Sequence, residues 1–399
     1  MIMADTSVLP QAVVGIDFGT AASGFAFAFN ENPDIIIDGN LPRNPRYHKS
    51  PTVLWRDPKG EFRAFGNDAK EGYAQDEFQD RDCTEIFANY KLALLSKGSD
   101  PKVHSENYSE HRLLPLITQT LEHIKDEASQ RLQDTLGLLF DPKRVVWVLT
   151  VPAIWNDNAK YVMRKSSFDA GMIDSVDSPQ LLLALEPEAA VASCMHDVVP
   201  VLHLMTGAKF ATIDCGGGTV DITSHVISAG GKDESSAPLG LNELAPPMGG
   251  AWGSMKVDEN FMRDFMKPLL GPLYNELNEN LVAKFRLLEE FENQIKKPHT
   301  SLNLNPRRLN VSCLESIFST TAEEITLRDL IEEYNSKEDD TDLHVVLVGQ
   351  TLKFSRATVD QFFDPLIENI IECISSLLND NRTVGLERLF LVGGFGESR

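Results

Sequence analysis

Val13-Val14-Gly15-Ile16-Asp17-Phe18-Gly19-Thr20 and Ala211-Thr212-Ile213-Asp214-Cys215-Gly216-Gly217-Gly218-Thr219 are two renderings of one device. Each is an apolar run that ends in Asp and enters a Gly/Thr turn. Each continues into a second run, 24–29 in the first copy and 220–227 in the second. In the first, Phe25, Phe27 and Phe29 alternate with Gly24, Ala26 and Ala28, the period of a strand. Two such hairpins facing each other would set two carboxylates and many backbone N–H groups around one phosphate chain. The pattern therefore predicts a nucleotide held between the halves of a duplicated protein.

The 399 residues suffice for two or three domains. Lys and Arg total 37 against 59 Asp and Glu, a net charge of −22. Such a surface repels nucleic-acid backbones and anionic membranes. Phosphate can still bind locally, because backbone N–H groups hold it. The five cysteines are scattered and never spaced as CxxC, which speaks against a disulfide framework or structural zinc and for a reducing compartment. No basic-then-apolar leader opens the sequence and no run of about 18 apolar residues occurs, so a cytoplasmic or nuclear protein without a membrane span is expected.

Strand and helix patterns alternate along the chain, implying α/β layers. Residues 40–58 read as a Pro/Asn/Arg-rich loop around a short strand at 52–55, 61–65 as a further strand, and 68–90 as an acidic, exposed helix. Apolar residues at Leu114, Ile117, Leu121 and Ile124 predict a long helix over 113–136. A buried strand follows over 144–151, then a helix capped by Asn156 or Asp157 and stopping near Gly171, then a helix over 186–195 opened by Pro187. In the second half, 228–247 reads as a Gly/Ser/Pro-rich loop and 257–295 as largely helical. Residues 343–349 and 388–392 read as strands and 358–378 as a helix. The halves divide near 197–209, giving lobes of 11–200 and 201–399 with a helical insertion at about 250–335.

Asp17 and Asp214 end apolar strands, where a carboxylate needs a cation or several donors. Magnesium held through water is one reading; a turn-forming Asp bonded to its own loop is the other. Recurrence in the same context favours the metal. Gly216-Gly217-Gly218 lets backbone approach a phosphate, although a tight hairpin has the same need. Asp221 adds a third acid that could orient water or metal, or simply sit on a strand face. Gly393-Gly394 could carry a nucleoside or form an ordinary turn after a strand. Lys91, by spacing alone, is a surface lysine. No HExxH, GxSxG or GxxxxGK[ST] occurs, which removes the common metalloprotease, hydrolase and P-loop readings.

Taken together, these residues resemble the sugar kinase, heat-shock chaperone and actin superfamily, and more closely the nucleotide-binding domain of the 70-kDa heat-shock protein family. Ile16–Thr20 resembles that family's first phosphate motif and Asp214–Asp221 its second. Thr150-Val151-Pro152-Ala153 with Asn156-Asp157 resembles its linking segment, Glu186-Pro187-Glu188-Ala189-Ala190 its connect motif, and Leu391-Val392-Gly393-Gly394 its adenosine motif. Gly249-Gly250-Ala251-Trp252-Gly253-Ser254 and Gly393-Gly394-Phe395-Gly396-Glu397-Ser398 resemble the atypical member 12 branch.

The resemblance implies a duplicated actin-like ATPase fold of the ribonuclease H-like kind, its two lobes flanking a nucleotide cleft. It implies ATP or ADP with Mg²⁺, with Asp17 and Asp214 holding the hydrated metal. Gly19, Thr20, Gly216, Gly217, Gly218 and Thr219 would cradle phosphates. Lys91 would contact the γ-phosphate, and Glu186, Asp221 and Thr219 would position metal water and nucleophile. Gly249, Gly250, Glu292, Lys296, Gly393 and Gly394 would complete the nucleotide site. Pro152 and Lys160 would pass the nucleotide state to an interdomain surface. Ala21 stands where the family has a hydroxyl residue, and Glu397 near its adenine-packing Arg. The chain ends soon after the adenosine motif, so the family's final helix and strand are expected to be missing. Slow ATP hydrolysis that switches lobe closure, with protein clients or co-chaperones as partners, is the activity implied. A nucleotide-dependent interaction module and a small-molecule kinase are the alternatives.

Overall fold

Val14, Ile16 and Phe18 point to one face of the strand Ala12–Phe18 (β1) and are fully buried. The antiparallel strand Ala22–Phe29 (β2) sets Phe27 beside Val14 and Phe25 beside Ile16. From the other side comes the parallel strand Val145–Val151, with Trp147 beside Val14 and Leu149 beside Ile16. Each row of the sheet thus carries three large apolar side chains, the cross-strand unit that stabilises a sheet. Asp17, one residue out of phase, faces the opposite side.

The computed structural model describes residues 9–39, 49–75, 85–95, 101–106, 109–153, 155–197, 205–228, 240–297, 306–318 and 325–396. The chain divides into two compact units, Met1–Ala189 and Ala190–Arg399. In the first unit β3 is Asn32–Asp38, β4 Ser50–Pro51, β5 Val53–Arg56, β6 Phe62–Phe65, β7 Glu85–Ala88, β8 Lys102–His104 and β9 Glu110–Arg112. Val145–Val151 is β10 and Leu181–Leu185 is β11. The main sheet runs β11-β10-β1-β2-β3, with β4 added to the start of β2. The helices are α1 (Asn67–Gln75), α2 (Leu113–Leu136), α3 (Asp157–Asp169) and α4 (Glu186–Asp197). Leu113, Leu116, Ile117, Leu121, Ile124, Ala128 and Leu132 form the buried stripe of α2, at helical spacing. They pack with the apolar rows of β1, β2 and β10 in one core, where each fully buried side chain contributes about 1.5–3 kcal/mol. Asn156 caps α3, its Oδ1 accepting from the Ala159 N–H at 2.9 Å.

The second unit repeats the plan. Lys209–Cys215 (β12) and Val220–Ser228 (β13) form the hairpin, Gly240–Gly250 (β14) follows antiparallel, and Arg388–Val392 (β18) lies parallel to β12. The order is β14-β13-β12-β18. Ile213 stands between Ile222 and Leu391. The long helix Arg356–Leu378 covers the face of Ala211, Ile213 and Cys215 through Cys373 and Leu377. It precedes β18 as α2 precedes β10. Between hairpin and helix lie a helical layer from Met255 to Lys296 and a small sheet of Arg307–Asn310 (β15), Val346–Val348 (β16) and Thr351–Phe354 (β17). Phe261 and Phe291 stack at 4.0 Å in that layer's core.

Several expectations need correction. The helix read over 68–90 is α1 alone, ending at Gln75; residues 76–84 lie outside the described set. Glu85–Ala88 is a strand because Ile86 and Phe87 are fully buried against β5. The loop read over 228–247 contains most of β14, with 229–239 outside the described residues. Pro246 and Pro247 argued for a loop. They occur where the register slips, between the pairs Ile222–Met248 and Ser224–Ala245, and a bulge on an edge strand tolerates missing N–H donors. The helical stretch 257–295 is interrupted by π-helical turns at Phe261–Met266 and Glu292–Lys296. The strand read over 343–349 is confined to Val346–Val348.

Candidate functional site

In the first unit Asp17 ends β1 half-buried. Its Oδ2 is ion-paired with the Lys49 ammonium, and its Oδ1 accepts from Thr150 Oγ1 at 3.3 Å. Burial works against the charged carboxylate, but the charges of Lys49 and Lys91 and the bonds from Lys49 and Thr150 hold its pKa below the usual value. The turn that follows is tied from behind. Thr52 Oγ1 donates to the Gly19 carbonyl at 2.8 Å and Thr52 N–H to the Ala21 carbonyl at 2.9 Å. A Cβ on Gly19 would meet the Ala22 carbonyl oxygen at 2.2 Å, so the turn requires glycine there. Among the described residues no protein acceptor takes the N–H of Thr20 or Ala21.

Lys91 is no surface lysine. It lies on the 3₁₀ turn Tyr90–Leu95, 3% exposed, its Nζ 2.7 Å from Glu186 Oε1. The ammonium sits 5.7 Å from the Phe18 ring centroid and 5.1 Å from that of Trp155. Each ring face adds cation–π attraction of about 0.5–2 kcal/mol. Glu186 opens α4, where the helix dipole also favours its negative charge. Pro152 is buried at the end of β10, and Lys160 is half-buried on α3.

In the second unit Asp214 ends β12 directly opposite Asp221 on β13. Asp221 is buried, and its Oδ2 accepts from Thr219 Oγ1 at 2.9 Å. Two facing carboxylates beside a hydroxyl suit a hydrated divalent cation, which prefers oxygen and keeps its waters. The Gly216–Gly218 triplet has its carbonyls bound to the start of a helix. Ser254 N–H donates to Gly216 O at 3.1 Å, Met255 N–H to Gly217 O at 2.9 Å and Gly253 N–H to Gly218 O at 3.3 Å. No protein acceptor among the described residues takes the N–H of Gly217 or Gly218. A Cβ on Gly253 would come within 2.3 Å of the Gly217 oxygen, which is why glycine stands there.

Gly249 and Gly250 close β14 beside Val220 and Asp221. Gly393 follows β18 at φ +85°, where a Cβ would strike Asp214 Oδ1 at 2.5 Å. Gly394 has open space. The turn closes with Phe395 N–H donating to Cys215 O at 3.0 Å. Glu292 and Lys296 are brought together, with an acid the sequence did not flag. Lys296 is buried, its Nζ 2.9 and 2.7 Å from the two oxygens of Asp258 and paired with Glu292 as well. Burial opposes the charged amine, yet the two carboxylates raise its pKa overall. Lys297 pairs with Glu292 at 3.6 Å. Glu397 lies outside the described residues.

No family model matches the chain. Among curated proteins, it is 27% identical to Heat shock 70 kDa protein 12A of Homo sapiens over 97% of this chain and 64% of that protein. It is 26% identical to Heat shock 70 kDa protein 12B of Homo sapiens, over 97% of this chain and 63% of that one. Chaperone protein dnaK of Cyanidium caldarium matches at 24% over 96% of this chain and 60% of its own length.

The chain is a homologue of the 70-kDa heat-shock proteins.

Its relatives 12A and 12B match the member 12 branch, and its fold is the duplicated actin-like ATPase fold. This homologue of the heat-shock family carries an Hsp70-like nucleotide-binding domain and spans 64% of the length of its relative 12A. Lys49 and Asp258 escaped the sequence reading. Lys49 sits in a Pro/Asn/Arg-rich stretch without periodicity, and Asp258 belongs to a helix whose π turn shifts side-chain phase. No helix among the described residues is long and apolar enough to cross a membrane.

Proposed function

We propose that this chain binds ATP and ADP with Mg²⁺ and hydrolyses ATP slowly, lobes 11–200 and 201–399 closing on the triphosphate and relaxing on the diphosphate. The observation that carries this reading is the repeated hairpin end. In each unit a strand-terminal Asp precedes a turn whose carbonyls are bound from behind, leaving amide N–H groups for phosphate oxygens. Magnesium, when bound, supplies charge neutralisation at the β- and γ-phosphates, and Asp214 with Asp221 are the residues suited to hold its waters.

The chain's own residues do the rest. Gly19, Thr20, Gly216, Gly217, Gly218 and Thr219 cradle the phosphates, Gly216 through its place in the turn, since its own N–H donates to Thr219 O at 3.0 Å. The Lys91 ammonium, held rigidly by Glu186 and two rings, neutralises charge developing on the γ-phosphoryl group. Thr219 and Asp221 orient the attacking water, and positioning rather than covalent chemistry lowers the barrier. Gly249, Gly250, Gly393 and Gly394 let the nucleoside lie against backbone. Glu292 and Lys296 brace the adenine side through their ion cluster. Pro152 and Lys160 pass the nucleotide state onward. Protein clients or co-chaperones are the partners this switch serves. The net charge of −22 disfavours nucleic acid as a partner, and scattered cysteines without CxxC spacing support a cytoplasmic or nuclear setting.

A second reading, a nucleotide-dependent interaction module with little turnover, is favoured by Ala21, which offers no hydroxyl to phosphate or water. Titration calorimetry with MgATP and a phosphate-release assay decide between them. Binding with turnover, both lost in Asp214→Ala, is expected. Binding without phosphate release selects the second reading, and unchanged turnover in the variant rejects the site.

A further inference from the structure

Among the described residues Lys49 is the basic side chain paired with Asp17 Oδ2, and its place is set by the sheet. Ser50 and Pro51 pair with Ser23 and Ala22 at the start of β2. Thr52 then binds the phosphate turn twice, through its amide to Ala21 O and its hydroxyl to Gly19 O, and shares a 2.7 Å bond with Ser23 Oγ. Lys49 is therefore fixed one residue before a segment stitched to the turn itself. The pair is open to solvent, with 49% of the Lys49 side chain and 39% of the Asp17 side chain exposed. An exposed ion pair adds little to stability. The same exposure leaves both groups within reach of a ligand at the turn.

The chemistry fits an anion. A lysine ammonium is a compact charge with three donors, so it can touch a carboxylate and a phosphate oxygen together. Both oxygens of Asp17 already have partners, Lys49 on Oδ2 and Thr150 on Oδ1. A hydrated magnesium ion would have to compete for that carboxylate. At the other hairpin Asp214 and Asp221 stand opposite each other and could hold the waters of one.

We propose that Lys49 is a resident cation of the first phosphate turn, taking at Asp17 the charge-neutralising role of hydrated metal and bridging that carboxylate to the nucleotide's phosphates. The proposal rests on the nucleotide-binding reading above and adds that binding depends only weakly on magnesium. Metal is then held from the Asp214 side alone, and ATP binds with or without it.

Titration calorimetry of the full chain with ATP, once in MgCl₂ and once in EDTA, tests this on the wild type and on Lys49→Gln. Affinities within about fivefold of each other are expected for the wild type, with a gap of about tenfold or more opening in Lys49→Gln as the EDTA arm weakens. The thermal midpoint of the variant should barely move, which a purely structural lysine would not combine with a changed metal dependence. Strong magnesium dependence in the wild type overturns the proposal and leaves the nucleotide reading standing. Weak dependence that persists in Lys49→Gln overturns it too, because the cation is then another residue. Failure of the wild type to bind ATP in either buffer removes the nucleotide reading, and this proposal with it. Should Lys49→Gln not fold, the wild-type comparison alone still overturns or supports the weak dependence.

Discussion

At the scale of single residues the two turns are governed by side chains that are absent. Gly393 holds φ +85° with its missing Cβ aimed at Asp214 Oδ1, whereas its neighbour Gly394 faces open space. Gly393→Ala should therefore cost about 1–3 kcal/mol in chemical denaturation and displace the Asp214 carboxylate, while Gly394→Ala leaves stability near the wild-type value. Equal effects of the two substitutions would contradict the geometry. The glycines, the paired aspartates and the Asp–Gly–Thr spacing were readable in the sequence, because a turn of that shape admits few other residues. Lys91 was readable only through the resemblance. A lysine between Tyr90 and Leu92 looks like surface until the fold brings Phe18, Trp155 and Glu186 around it. Lys49 was not readable at all, since nothing in residues 40–58 announces which side chain will reach back 32 positions to Asp17.

Secondary-structure elements followed the sequence where periodicity was strong. The stripe of α2 and the strands β1, β2 and β10 fell where their apolar spacing placed them. They failed where tertiary pairing overrode local chemistry, as in β7 and the proline-bearing β14. In the helical layer, Lys296 bolts the helix Met255–Asn260 to the turn Glu292–Lys296 through Asp258 and Glu292. Both acids are partly sheltered and the lysine is buried, so removing it leaves two carboxylates facing each other. Lys296→Met should lower unfolding free energy by about 3 kcal/mol in urea titration. The pH dependence has a definite sign. The folded pKa of Lys296 lies above its ordinary 10.5, so its contribution is whole below that value and fades as pH rises past the raised one. Stability of the wild type relative to Lys296→Met should thus shrink only in strongly alkaline buffer, and a gap constant through that range would refute the pairing.

For the molecule as a whole, duplication is the governing fact: strand, hairpin, third strand, helix and parallel strand recur in one order in both units. The copies differ at one margin. In the first unit β10 is flanked by β11, but in the second β18 is the last strand of its sheet among the described residues. Leu389 and Leu391, on the same sheet face as the long helix, are 44% and 59% exposed. An apolar strand edge invites pairing with other chains. Leu391→Lys should reduce concentration-dependent self-association in light scattering, and an identical profile for both proteins would refute this. A different consequence follows from the glycine triplet. Each of its peptide planes presents N–H on one side and C=O on the other, and the carbonyls anchor the first amides of a helical run reaching Leu270. An anion drawing on those N–H groups polarises the same planes and tightens their grip on the helix. The triplet thus couples its two sides electrically, so an anion bound at the turn would stiffen the head of the helical run anchored behind it.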